Sequence, residues 1–307
     1  APKQARVLEV LSEVGEITFP ELANISNCKM DSVNRLRDRG LITLDKRKVS
    51  DSLFAGKHFK KTCHLQSTGE QETAINLIKG KLRERQFGAI LLKGVTGSGK
   101  TEVYLQVISE VITLGLKAIV LVPEISLTPQ TIERFKSRFD RVAVLHSSLT
   151  DKQRSDQWWD IKNGNADVVI GARSAVFAPL ENVGLIVIDE EHENTFKQDT
   201  SPRYNARDVS MIRAERENAL VVLGSATPSL ESFYNANIGK YECVTLKSRV
   251  GNKPLPRVEV IDMRHEKYRG KNLYYISNYL ELCMKQCLSK KEQVLLFLNR
   301  RGFSPFI

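Results

Sequence analysis

GAILLKGVTGSGKTEVYLQV, residues 88–107, sets a glycine-rich loop between a run of apolar residues and an amphipathic stretch. Within it, Gly94 to Thr101 matches the pattern G-x-x-x-x-G-K-S/T. The placement gives the letters their meaning, because a buried strand, a tight loop and a helix in that order build a phosphate cradle. Glycines 94, 97 and 99 let the backbone curl so that its N–H groups converge, and the helix that follows adds the positive end of its dipole. Gly94, Val95, Thr96, Gly97, Ser98, Gly99, Lys100, Thr101 and Glu102 are therefore the expected nucleotide-binding run. Lys100 would reach the β- and γ-phosphates of ATP, and the Thr101 hydroxyl would ligate Mg²⁺.

Downstream, short apolar runs alternate with amphipathic stretches: KAIVLV (117–122), VAVL (142–145), DVVI (167–170), LIVID (185–189) and ALVVLG (219–224). Runs that are apolar at every position imply strands buried on both faces, and hence a parallel α/β sheet. A phosphate loop of this kind needs an acidic partner at the end of another buried strand, and LIVIDEEH, Leu185 to His192, supplies one. Asp189 is expected to hold Mg²⁺ through water and Glu190 to take a proton from an attacking water. Both fall at a strand's carboxyl end, where α/β sheets bind ligands.

Residues 1–62 have a different rhythm. Val7, Leu8, Leu11 and Val14 recur at helical spacing with Gly15 as a stop, Pro20 opens a second helix, and a third runs from about Met30 to Gly40. LITLDKRKV (41–49) reads as strand, turn and strand. Together these make a winged helix-turn-helix, a fold that often lays its third helix in a DNA groove and in other chains serves as a spacer or protein contact. At the other end KSRVGNKPLP (247–256) reads as a linker, VEVID (258–262) and VLLFLN (294–299) as strands, and residues 276–289 as a helix. Ile307 leaves this further α/β unit open, so the chain is expected to be a fragment with three parts: 1–62, 63–246 and 247–307.

At 307 residues and 41% hydrophobic the chain can bury more than one core, and its net charge of +10 suits a polyanionic partner. It has no apolar run of about eighteen residues, and its first residues lack the pattern of a secretion signal, so an intracellular protein without membrane association is expected. Five scattered cysteines argue against a disulfide framework. Cys283 and Cys287 lack a second pair with which to bind zinc and are expected as buried thiols. Trp158 and Trp159 share a helix-like run, and at least one is expected against the sheet.

LVPEISLTPQ (121–130), GARSAVFAPL (171–180), GSATPS (224–229) and LNRRGFSPF (298–306), taken with the phosphate loop and DEEH, resemble the PriA family of superfamily 2 helicases from about Leu65 to Ile307. The resemblance implies a RecA-like helicase lobe behind the winged helix. It implies an ATP-dependent 3′-to-5′ DNA helicase that binds forked or D-loop DNA and initiates primosome assembly for replication restart. The setting it implies is the bacterial cytoplasm at the nucleoid, with primosome proteins and single-strand DNA-binding protein as partners. By the same resemblance, Gln71 reads adenine, and His192, Ser225 and Thr227 couple nucleotide state to DNA contact. Pro123, Glu124, Ser126, Thr128, Arg173 and Ser174 would hold the single-strand backbone.

FKQDTSPRYNAR (196–207) resembles the aromatic-rich loop of PriA and RecQ helicases. Phe196 and Tyr204 would stack on bases while Lys197, Arg203 and Arg207 meet phosphates. The plainer reading of the same residues is a solvated loop with two aromatics anchored to the core, and nucleic acid is the favoured one. The family also carries a DNA 3′-end-binding domain before the winged helix, a zinc-binding insertion expected only beyond residue 307, and γ-phosphate arginines on the rest of its second lobe. Without those arginines the chain is expected to bind nucleotide and hydrolyse it poorly. Two alternatives stay open, an ATP-responsive DNA clamp and another superfamily 2 motor acting on RNA or intact duplex.

Overall fold

The computed structural model describes residues 2–44, 59–252, 254, 256–265 and 276–297. Residues up to Val250 form one compact unit and those from Gly251 a second. The first unit opens with three helices, α1 (Pro2–Val14), α2 (Phe19–Ser26) and α3 (Met30–Asp38). Gly15 stops α1 at a φ of +77°, its N–H donating to the Leu11 carbonyl at 2.9 Å. A capping box of Thr18 and Glu21 starts α2, with Pro20 in its first turn. Val7, Val10, Leu22, Cys28, Val33 and Leu36 form a core of their own. Val10 takes the inward place expected of Val14, which faces solvent. Of the expected hairpin at 41–49, residues 41–44 form no strand and 45–49 lie outside the described residues.

Six further helices of this unit are α4 (Gly69–Glu84), α5 (Lys100–Thr113), α6 (Pro129–Arg138), α7 (Asp151–Lys162), α8 (Ala206–Glu217) and α9 (Leu230–Asn237). Its strands are β1 (Gly88–Gly94), β2 (Lys117–Leu121), β3 (Val142–Leu145), β4 (Val168–Gly171), β5 (Val183–Asp189), β6 (Lys197–Gln198), β7 (Tyr204–Asn205), β8 (Leu220–Ser225) and β9 (Glu242–Leu246). Seven of them form one sheet in the order β3-β4-β2-β5-β8-β1-β9, with every pairing parallel. The strands are apolar at successive positions because both faces are covered. Ile90, Leu92, Val120 and Val187 face a core shared with α4, α5 and α6. Leu91, Ile119, Val169 and Ile188 face a second core shared with α7 and α8. This is the expected parallel α/β lobe preceded by a helical region that fits a winged helix.

Parallel pairing brings the carboxyl ends of all these strands to one edge, so Gly94, Leu121, Gly171, Asp189, Ser225 and Leu246 end together. Strand β9 was not evident in the sequence. As an edge strand it has exposed and half-buried positions in place of a continuous apolar run, and it pairs only with β1.

Helix α7 corrects the expectation for the tryptophans. Trp158 and Trp159 are 41% and 46% exposed, and their rings meet edge to face at 5.1 Å. The helix docks instead through buried Ile161 and through Gln157, whose side-chain oxygen accepts from the Val144 N–H at 2.9 Å. Residues one and two positions past Gln157 turn away from that face, since successive helical residues are about 100° apart.

In the second unit α10 (Asn278–Ser289) is N-capped by the Ser277 hydroxyl, which accepts from the Leu280 N–H at 3.0 Å. The strands expected at 258–262 and 294–299 are not formed at 258–262 or 294–297, and residues 298–299 lie outside the described residues. An apolar run becomes a strand only where a neighbour pairs its backbone N–H and C=O groups, and the described residues of this unit contain no strand to do so. Cys283 and Cys287 are half-buried on α10, not the buried thiols expected. Among the described residues no helix is long and apolar enough to cross a membrane, and no group of three or more His, Cys, Asp or Glu could hold a metal ion.

Candidate nucleotide and nucleic-acid site

Strand β1 delivers Gly94 to the carboxyl edge, and α5 begins at Lys100. Between them Gly97 and Gly99 adopt φ of +82° and +84°, the left-handed region that favours glycine. Close packing imposes glycine as well. A Cβ on Gly94 would lie 2.6 Å from Ser98 Oγ, and one on Gly99 would lie 2.3 Å from Gln71 Nε2. Lys100 Nζ donates to the Gly94 carbonyl at 3.0 Å and stands 3.7 Å from the Glu190 carboxylate. Ser98 Oγ and Arg249 Nε are buried without hydrogen-bond partners, and the Arg249 side chain flanks Gly97. Orphaned polar atoms beside a curled loop fit a polar ligand such as a phosphate. Thr101 stands in the first turn of α5 and Asp189 at the end of β5, both at the carboxyl edge of the sheet; a hydroxyl and a carboxylate there are oxygen donors of the kind Mg²⁺ takes.

Gln71 is 3% exposed. Its side-chain oxygen accepts from the Thr68 N–H at 2.9 Å, closing the capping box of α4, and its Nε2 donates to the Ser98 carbonyl at 2.7 Å. The adjacent Glu70 accepts from the N–H groups of Lys247 and Ser248 at 2.8 and 3.1 Å. The Val250 N–H donates to the Gly97 carbonyl at 3.0 Å, so the segment leaving β9 is bound to the phosphate loop. The Glu102 carboxylate accepts from Arg138 at 3.2 Å and from the Leu65 N–H at 3.1 Å, fixing the chain ahead of α4.

Strand β5 ends at Asp189, whose Oδ1 accepts from the Tyr104 hydroxyl at 3.0 Å. Burial and the neighbouring Glu190 carboxylate push the Asp189 pKa up, against the pull of the Tyr104 hydrogen bond and the Lys100 charge. Glu190 takes a φ of +46°, which turns the chain sharply after the strand. Its carboxylate also lies 3.8 Å from His192 Nδ1. That nitrogen is hydrogen-bonded to Ser225 Oγ at 2.8 Å, and Ser225 Oγ accepts from the Thr227 N–H at 3.0 Å. Thus β8, lying between β5 and β1, brings His192, Ser225 and Thr227 to one place.

The residues expected to hold a nucleic-acid backbone lie at the exits of β2 and β4. Pro123 is buried. Glu124 accepts from the Ser147 hydroxyl, the Ser126 carbonyl accepts from the Thr131 hydroxyl, and Thr128 caps α6. Ser174 is exposed. Arg173 donates to the carbonyls of Thr195 and Lys197 at 3.3 and 2.8 Å, bracing the segment that follows.

That segment folds as a short antiparallel hairpin, β6 with β7. Phe196, expected on a base, is 1% exposed in the core beneath the sheet and has no free face for stacking. Arg207, expected on a phosphate, donates to the fully buried Glu191 carboxylate at 2.8 Å. A desolvated carboxylate needs a nearby cation, and Arg207 is the one supplied. Lys197 and Arg203 remain on the exposed side of the hairpin. The half-buried Tyr204 ring meets Phe177 edge-on at 5.0 Å.

The sequence pattern of the DEAD/DEAH box helicases matches residues 68–235. The chain belongs to the DEAD/DEAH box helicase family. Within that family it is similar along its whole length to the replication restart protein PriA of Bacillus subtilis, at 44% identity over 100% of this chain and 38% of that protein. The PriA of Synechocystis is 40% identical over 99% of this chain and 37% of that protein, and the PriA of Haemophilus influenzae 49% identical over 72% and 30%. The chain is homologous to the PriA family and spans less than two fifths of the length of these curated relatives. Among solved structures, RecG bound to a three-way DNA junction is similar at 25% identity and a TM-score of 0.46, over 64% of this chain and 25% of that one.

Several residues of this helicase lobe escaped the sequence reading. Glu191 accepts from Arg207, from the Ser229 N–H at 2.7 Å and hydroxyl at 3.0 Å, and from the Ser232 hydroxyl at 2.9 Å. It ties DEEH to the start of α8 and to the start of α9. Its one signal was a third acid directly after a buried strand, where two suffice for the expected chemistry. Glu70, Tyr104 and Phe177 gave no local signal, because each partner lies far along the chain.

Proposed function

We propose that the chain is the ATP-binding motor portion of a replication-restart DNA helicase of the PriA type, with residues 1–62 as winged helix, 63–246 as helicase lobe and 247–307 as linker and start of a second lobe. The observation that carries this is the meeting of Lys100 with Glu190, 3.7 Å apart, beside Asp189 at the carboxyl edge of a parallel sheet. Phosphates would lie in the Gly94-to-Thr101 loop, with Lys100 leaving the Gly94 carbonyl for the β- and γ-phosphates. Mg²⁺ would supply charge neutralisation there, held by Thr101 and, through water, by Asp189. Glu190 would orient water and accept its proton. Gln71, whose amide is bonded to Thr68 and Ser98, would read adenine by exchanging those partners for the base. The His192–Ser225 hydrogen bond would carry the nucleotide state from DEEH to the end of β8.

Single-stranded and forked DNA would cross the exits of β2 and β4, near Pro123 to Thr128 and Ser174, with Lys197, Arg203 and Tyr204 reaching it from the hairpin. Similarity to proteins named for replication restart supports a role in that process; by the family resemblance the chain would unwind 3′-to-5′ at forks or D-loops, meet primosome and single-strand-binding proteins, and work at the bacterial nucleoid. The test is Mg²⁺-dependent ATP hydrolysis by the full-length protein with and without forked DNA. The fork should stimulate turnover. Lys100→Ala should abolish nucleotide binding, and Glu190→Gln should bind ATP but turn over about 10²–10⁴-fold more slowly. A rate indifferent to DNA would leave a nucleotide-gated clamp as the better account, and normal turnover by Glu190→Gln would remove Glu190 as the base.

A further inference from the structure

Tyr104 follows Lys100 by four residues on α5, is 2% exposed, and has no part in the contacts expected of a nucleotide. A tyrosine buried this deeply needs a partner for its O–H. The partner is Oδ1 of Asp189, at 3.0 Å, on a strand 85 residues away. On its other side the hydroxyl meets Gly224, which the β5–β8 register sets directly opposite Asp189. A Cβ on Gly224 would stand 1.6 Å from Tyr104 Oη and 2.8 Å from Cζ, so no side chain can occupy that position while the hydroxyl is there. The helix that carries Lys100 and Thr101, the acidic end of β5 and the end of β8 thus converge on one phenolic oxygen.

We infer that Tyr104 is a positioning residue for the metal-binding carboxylate: its hydroxyl fixes one oxygen of Asp189 and leaves the other to face Mg²⁺, and residue 224 is glycine to admit it. The inference rests on the nucleotide-site reading proposed above. Partners that orient a metal's carboxylate from behind affect metal affinity about 10- to 100-fold. With Asp189 meeting the ion through water, the lower end is expected.

The test is the binding of a fluorescent non-hydrolysable ATP analogue to the full-length protein, titrated with Mg²⁺. Tyr104→Phe keeps the ring and removes the donor. It should raise the Mg²⁺ concentration for half-maximal effect about tenfold while leaving Mg²⁺-free nucleotide affinity unchanged. Gly224→Ala, which displaces the hydroxyl without removing it, should shift the same midpoint in the same direction. A tyrosine that only fills space would lower thermal stability and leave the Mg²⁺ midpoint alone. An unchanged midpoint in Tyr104→Phe, or in Gly224→Ala should Tyr104→Phe not fold, overturns the inference and leaves the nucleotide site intact. Wild-type protein whose analogue binding ignores Mg²⁺ would instead overturn the nucleotide-site reading and this inference with it.

Discussion

The phosphate loop and the hairpin from Phe196 to Arg207 both stand at the carboxyl edge of the sheet, and they are built in opposite ways. From Gly94 to Thr101 the site is made by backbone. Glycines at positive φ or in close contact shape it, and Ser98 Oγ is left buried without a partner. The Val95 and Ser98 N–H groups already donate to the Leu246 and Val95 carbonyls, at 3.2 and 3.0 Å, which helps hold the loop in its curl. In the hairpin the chemistry belongs to side chains, and the fold claims the two at its ends. Phe196 is core and Arg207 neutralises Glu191, so only the middle, with Lys197, Arg203 and Tyr204, is left to meet a ligand. A ligand site made of side chains shares them with the packing that holds it in place.

The sharpest way to break this contrast is to attack the ends of the hairpin. Phe196→Ala should lower unfolding free energy by about 3–5 kcal/mol, as emptying a core aromatic site does. Glu191→Ala should cost a similar ~3–5 kcal/mol by leaving Arg207 without its buried partner. Urea unfolding measures both. If either variant keeps wild-type stability and loses only DNA affinity, the ends of the hairpin bind ligand after all.

A smaller effect is expected in the middle. Tyr204→Ala should weaken single-stranded DNA binding by about 1–3 kcal/mol, the usual value of one base stacked on an aromatic ring. Lys197→Ala should flatten the salt dependence of binding and leave stability within about 0.5 kcal/mol of wild type. Fluorescence anisotropy across a salt series reads both, and unchanged affinity in both variants would take DNA off the hairpin.

The smallest effect sharpens the nucleotide side. Burial raises the Asp189 pKa above its unfolded value, so its contribution to stability is full only at acid pH and is lost as pH rises through the folded pKa. Above that pKa the ionised carboxylate therefore opposes folding. Asp189→Asn keeps an acceptor for Tyr104 and removes that charge. Thermal unfolding should show Tm raised by about 2–4 °C, the shift that ~1 kcal/mol gives a unit of this size. A lower Tm would mean that Lys100 and Tyr104 more than offset the burial.

The strand order could not be read from the chain, yet the strands could. Continuous apolar runs marked β1, β2, β3, β4, β5 and β8, whereas the edge strand β9 and the two-residue strands β6 and β7 had no such run. Likewise the tryptophans of α7 read as core by type and lie outside by phase, because Gln157 and Ile161 set which face docks.

What the sequence determined by itself was whatever depends on neighbours in the chain: the glycines of the phosphate loop, Pro20 at the opening of α2, the acid at the end of a buried run, and with them a parallel nucleotide-binding lobe. Tertiary structure alone decided which side chains are available. That Glu191 holds Arg207, Tyr104 holds Asp189 and Glu70 holds the exit of β9 depends on strand order. Hydrogen bonds and burial act over a few ångströms, and residues far apart along the chain come within that range only after the sheet has assembled.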